Sequence, residues 1–307
     1  MRKRSLTREH TGALAVTALI LAACNEADRP AAEVDAPPRA EPLLVAATSP
    51  LGAWLAQNIG GDDVRLSDAV PTDVDHHGFQ PSAEQIVALG EAVLIVLQGA
   101  SYEAWRDAAS LPESRVVDLS AGLDLIQIEG RTHSHGAEGE HSHTGVDPAT
   151  WTDPALVAAQ AQRLLAAMED ASPERAAGFL DRSHALETEL DRLVARVAEL
   201  SEGVGAEEVA LAGVSGRYAY LARALRVDLF DLPLEPDDHD LQHLRRAAGA
   251  RRLIVLVPAA PAAALRAKLP GATWVELDPL EQDGPDGYAY LERMNENLDR
   301  LAAVLTR

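Results

Sequence analysis

Four of the ten histidines fall within eleven residues. The stretch Thr132-His133-Ser134-His135-Gly136-Ala137-Glu138-Gly139-Glu140-His141-Ser142-His143 combines four imidazoles with two carboxylates among small, polar residues. Imidazole nitrogens with a few oxygen donors suit Zn²⁺ and disfavour Ca²⁺ or Mg²⁺, which take oxygen ligands. A flexible loop of this composition can wrap one ion or share several. Each imidazole must be neutral to ligate, so affinity is expected to fall as pH drops through about 6.5.

A second cluster, Asp75-His76-His77-Gly78-Phe79-Gln80-Pro81-Ser82, lies between a predicted strand and a helix predicted to open near Ser82. Loops at the carboxyl ends of parallel strands are where such folds bind ligands. Adjacent histidines rarely aim at one ion, so one of His76 and His77 is expected to ligate and the other to neighbour it. His239 and His243 stand four apart on a predicted helix opening near Asp237. That spacing puts both on one face, but no Glu follows His239 in the metalloprotease arrangement. They read as an exposed pair on an acidic helix, and His184 reads as a lone structural or solvated residue. No nucleophile–base pairing or phosphate-cradling glycine loop stands out, which points to binding and away from an enzyme.

The elements that must position these residues follow from periodicity. Leu43–Ala47, Val64–Leu66, Ala92–Leu97 and Val116–Asp118 read as strands separated by helices, and the order recurs in Glu208–Val214, Val227–Leu232, Leu253–Val257 and Thr273–Leu277. A closing helix is predicted over Tyr288–Leu305. Apolar strands alternating with helices predict an α/β fold of two lobes, each a parallel sheet flanked by helices. Between them, Ser172-Pro173 is a helix-start signal. Leu186, Leu190, Leu193, Val197 and Leu200 then recur at alternating four and three residues before Gly203 and Gly205. One long rigid helix of about 30 residues, roughly 45 Å, is expected to join the lobes.

The N-terminus carries Arg2, Lys3, Arg4 and Arg8, then an apolar run from Thr11 to Ala22 that is too short to span a membrane. Leu21-Ala22-Ala23 before Cys24, the sole cysteine, resembles the lipobox of bacterial lipoproteins. Residues 1–24 are therefore expected to be a lipoprotein signal peptide, with Cys24 the lipidated residue. Residues 25–42, rich in Pro, Ala, Asp and Glu, are expected to be a disordered tether. Beyond it come a lobe at 43–170 with a His-rich loop at 131–145, the linking helix at 171–203 and a second lobe at 204–307. The net charge of −21 argues against nucleic acid and fits a surface that attracts cations.

Several motifs together resemble, in order, the zinc/manganese solute-binding lipoproteins of ABC importers. They are Val45-Ala46-Ala47-Thr48-Ser49-Pro50-Leu51, the His77-to-Ser82 turn, the His-rich insert, Asp147-Pro148, Trp151, Asp153-Pro154, the long helix, Tyr218 with Tyr220-Leu221-Ala222, and Leu277-Asp278-Pro279-Leu280. The resemblance spans nearly the whole chain after the tether. It implies two α/β lobes bridged by one helix, a cleft metal held by three histidines and a carboxylate, and delivery to a membrane permease. His77 matches the first ligand and Asp278 the carboxylate. Ala149 stands at the second ligand and Ser215 at the third, so half of the inherited site is absent.

The sequence therefore leads to a Zn²⁺-capturing monomer, with Mn²⁺ the less suited metal, tethered by lipid at the periplasmic face and serving an ABC permease and its ATPase. Binding is expected to rest on His133, His135, His141 and His143, with His77, Asp278 and neighbouring His76 as a cleft-side anchor. The alternatives are a periplasmic zinc buffer or metallochaperone that has lost the cleft site, and an interaction protein with no transport role.

Overall fold

The computed structural model describes residues 41–71, 78–134, 140–205, 207–214, 217–261, 263–284 and 287–305, with 128–134 and 140–144 given as backbone alone. The expected signal peptide with Cys24, most of the tether, His76, His77, His135 and Ser215 lie outside the described residues. Pro42–Arg307 forms one compact unit.

The chain enters through β1 (Leu43–Ala47), whose residues are buried except half-buried Leu44, as expected of a strand covered on both faces. It crosses through α1 (Pro50–Gly60) to β2 (Val64–Leu66), then through α2 (Ala83–Glu91) to β3 (Leu94–Leu97) and on to β4 (Val116–Asp118). All pairings are parallel, in the order β2-β1-β3-β4. Caps fix where the helices begin. Ser49 Oγ accepts from Gly52 N at 3.0 Å with Pro50 in the first turn of α1, and Ser82 and Gln85 form a reciprocal capping box on α2.

Within the expected His-rich loop the flanks pair as an antiparallel ladder of β5 (Gln127–Ser134) and β6 (Glu140–Val146), while residues 135–139 lie outside the described residues. Its register sets His133 opposite His141 and Arg131 opposite His143, with a shift between Ile128 and Arg131. At its foot, Asp147 N donates to Ile126 O at 2.8 Å. Then come α3 (Pro154–Ala171), capped by Asp153, and α4 (Ala176–Gly203). The long helix starts later than Ser172-Pro173 suggests, because Pro173–Arg175 closes as a tighter 3₁₀ turn with Arg175 N donating to Ser172 O.

The second lobe repeats the first with β7 (Val209–Val214), α5 (Ala219–Ala224), β8 (Leu229–Leu232), α6 (Asp238–Ala248), β9 (Arg252–Val257), α7 (Ala263–Lys268), β10 (Thr273–Glu276) and α8 (Tyr290–Leu305). Its strands are parallel in the order β10-β9-β7-β8. Strand ends differ from the sequence expectation by one or two residues.

At 28 residues α4 is about 42 Å long. It buries Phe179, Ser183, Leu186, Leu190, Leu193, Val197 and Leu200 along one stripe. That stripe belongs to a single apolar core reaching from Leu43 to Leu305, so the lobes share one interior. Polar bonds fix the helix toward each end. Arg182 donates to Ile59 O at 2.7 Å and pairs with Asp63 at 3.0 Å, while Arg196 pairs with Asp299 and bonds Asn295 on α8.

Candidate metal-binding cleft

The loops at the carboxyl ends of the two sheets are tied directly to each other. Trp151 Nε1 donates to Pro279 O at 2.8 Å, and Tyr290 Oη donates to Trp151 O at 2.9 Å. Tyr220 Oη donates to Asp147 O at 2.7 Å and accepts from Ile126 N at 3.1 Å, so the second lobe grips the foot of the histidine hairpin. Burial pushes the Tyr220 hydroxyl up to about 12, keeping it protonated and able to donate. These bonds hold the lobes in one relative position, as the joining helix predicts.

On the first-lobe side, the chain after β3 turns through three consecutive left-handed residues, Gly99 (φ 75°), Ala100 (φ 51°) and Ser101 (φ 64°). Left-handed alanine and serine are strained, and such strain persists only where surrounding structure enforces it. The buried Glu103 carboxylate does so here. It accepts from Gln98 N at 2.8 Å and Gly99 N at 3.0 Å, and Thr48 Oγ1 lies 2.5 Å away. Burial outweighs these donors and raises its pKa to about 7. Gln98 extends the network: its Nε2 donates to Thr150 Oγ1 at 2.9 Å, and Gln160 Nε2 reaches the same oxygen at 3.0 Å. This frame fixes the turn that carries Ala149. Sequence reasoning missed Glu103; the available signal was an acid placed between Tyr102 and Trp105, inside an apolar stretch after a strand.

Asp278 follows β10 in the second lobe, and its surroundings are fully specified. Asn297 grips its backbone on both sides, accepting from Asp278 N at 2.9 Å and donating to Asp278 O at 2.8 Å. Arg293, one helical turn before Asn297 on α8, takes the Asp278 carboxylate in a fork, Nε to Oδ2 at 2.6 Å and Nη2 to Oδ1 at 2.8 Å. Leu280 N adds a third donor to Oδ1 at 2.9 Å, from a residue held left-handed at φ 57°. Tyr288 Oη closes the loop on Leu280 O at 2.7 Å. The sequence signal for Arg293 was its spacing of four from Asn297, which puts both on one helix face.

Between the lobes lies a cavity of about 570 Å³, walled by Ala47, Trp54, Ser67, Asp68, Asp283 and Tyr288 among others. Pro71 is on its wall, and the segment bearing His76 and His77 follows Pro71 in the chain. Phe79, just beyond, packs on the first lobe's second apolar cluster. Ala149 is buried at 3% exposure and offers no donor side chain. The described residues thus bring the Asp278 loop, the Ala149 turn and the hairpin foot to one junction.

Elsewhere among the described residues, Asp237, His239 and Asp240 place potential ligand atoms within 4.8 Å of one another. Asp237 and Asp240 are committed to a reciprocal capping box on α6, and the Asp240 backbone N–H holds the exposed Asp237 carboxyl below its usual value. His243 is exposed one turn on, and His184 is exposed on α4.

The chain thus has two α/β lobes, one bridging helix and an inter-lobe cleft lined mostly by apolar side chains, with Asp68 and Asp283 among them. The chain belongs to the family of the periplasmic zinc-uptake complex component A, ZnuA, which it matches over residues 44–304. It is therefore a metal-binding, substrate-binding protein of an ABC metal importer, a system in which such receptors work with a membrane permease and an ATPase. The zinc-binding protein TroA of Treponema pallidum is 26% identical over 292 residues, 89% of this chain and 92% of TroA. The manganese ABC transporter substrate-binding lipoprotein PsaA of Streptococcus mitis is 23% identical over 316 residues, 96% of this chain and 97% of PsaA. In fold, the metal-dependent lipoprotein YcdH from Bacillus subtilis matches with a TM-score of 0.69 at 20% identity, covering 87% of this chain and all of YcdH. These relatives are named for zinc and for manganese, so the family fixes a divalent metal and leaves the choice open.

Proposed function

We propose that the chain captures Zn²⁺ as its substrate outside the inner membrane, anchored by lipid on Cys24, and delivers it to the importer's permease. The observation that carries this is the histidine hairpin. Its ladder sets positions 133 and 141 opposite each other, with 143 two residues further along the same strand, on a stem that Tyr220 fastens to the lobe junction. Opposite positions are the closest pairs across an antiparallel ladder. Imidazole nitrogens as donors favour Zn²⁺ over Mn²⁺, which prefers oxygen. His77, Asp278 and neighbouring His76 form the cleft-side anchor to which the ion passes, and the receptor acts as a monomer.

Calorimetric titration of Zn²⁺ into the chain from Asn25 tests this against a variant with His133, His135, His141 and His143 all changed to Ala. Most zinc binding is expected to disappear in the variant. Full retention would overturn the assignment to the hairpin.

A second reading, a periplasmic zinc buffer or metallochaperone, draws on Ala149 and on the engagement of Asp278 by Arg293, both of which weaken the cleft. Transport separates the two. Zinc-loaded protein added to membranes bearing the permease and ATPase stimulates ATP hydrolysis if it is the receptor, and leaves it unchanged if it is a buffer.

A further inference from the structure

We propose that Arg293 is a cation built into the cleft, which the metal substrate must displace from Asp278 and which thereby sets the cleft's affinity. The inference rests on the reading that Asp278 faces the ion in the cleft. A carboxylate offers about four lone-pair directions. Three are taken, by Arg293 Nε on Oδ2 and by Arg293 Nη2 and Leu280 N on Oδ1. The remaining direction on Oδ2 lies beside a guanidinium only 2.6 Å away, where a dication meets a like charge.

Arg293 has further anchors that outlast displacement. Its Nη1 donates to Gln282 O at 2.8 Å, and its guanidinium carbon lies 5.4 Å from the centre of the Tyr288 ring, which walls the inter-lobe cavity. A swing about those anchors frees the carboxylate without moving either lobe. This suits a molecule whose lobes are pinned by Trp151, Tyr220 and Tyr290. A lysine would place a single point charge there; the arginine fork holds both carboxylate oxygens at once.

The test uses the chain from Asn25 with the four hairpin histidines changed to Ala, so that the hairpin does not contribute, and titrates zinc chloride against a chromophoric chelator. Arg293→Met in this background is expected to tighten zinc at least about tenfold, and Arg293→Lys by much less. Adding Asp278→Asn to Arg293→Met is expected to erase the gain. Thermal melts identify any variant that fails to fold, and Arg293→Gln then replaces Arg293→Met with the same expectation. An unchanged or weaker affinity in folded Arg293→Met, or a gain that survives Asp278→Asn, would overturn the proposal. Failure of the hairpin reading is a separate result, seen as the quadruple variant binding as tightly as the parent.

Discussion

At the scale of single residues, two carboxylates account for much of the cleft's construction. Glu103 is an acid whose folded pKa is raised, by burial, from 4.5 to about 7. Between those values the folded state holds a proton that the unfolded chain has lost, so stability falls as pH rises through the window. The loss amounts to about 3 kcal/mol. Melting the protein at pH 4.5 and pH 8 should show this drop, and Glu103→Gln should flatten it; an equal slope in the variant would assign the pH dependence elsewhere. Asp278 is an acid in an ion pair with Arg293. The sequence made Asp278 visible through the Leu277-Asp278-Pro279-Leu280 motif. Arg293 stayed hidden because its pairing depends on how α8 packs against a loop fifteen residues earlier. Ala149 is legible from sequence, and the structure shows it as a buried residue without a ligating group.

At the scale of elements, most strands were legible because a short apolar run between helix signals fits little besides a buried strand. The histidine segment reads as a loop from sequence because histidine, glycine and serine carry little strand propensity. Its pairing comes from what closes its foot, namely the Asp147–Ile126 bond and the Tyr220 hydroxyl. Removing that hydroxyl with Tyr220→Phe should leave the buried part of this junction short of a donor and cost about 1–3 kcal/mol. Amide exchange should quicken at Ile126 and Asp147 while β7 and β9 stay protected. Unchanged exchange there would mean that the hairpin holds itself.

The linking helix follows the same logic. Leu190 is fully buried in the common core, and Leu190→Ala should cost about 2–5 kcal/mol in denaturant unfolding. Because the core is continuous through α4, a single transition is expected, shifted as a whole. Two separated transitions would show that the lobes stand independently.

At the scale of the molecule, a shared core, lobes tied across the cleft and a net charge of −21 fit a receptor that attracts cations. Among the described residues, Trp151, Tyr220 and Tyr290 bridge the lobes by hydrogen bonds, which oppose wide closure. The α/β architecture was legible because periodicity reports burial. The cleft was legible only in part, since its competing cation and its buried acid are products of packing.

The central claim is that this receptor selects zinc through nitrogen donors. The most direct test is competition: the chain from Asn25 is equilibrated with equal excess Zn²⁺ and Mn²⁺, desalted, and its retained metal counted by mass spectrometry. The account predicts bound zinc with little manganese, and zinc content that collapses when the four hairpin histidines become alanine. Manganese retained at or above the level of zinc would contradict it.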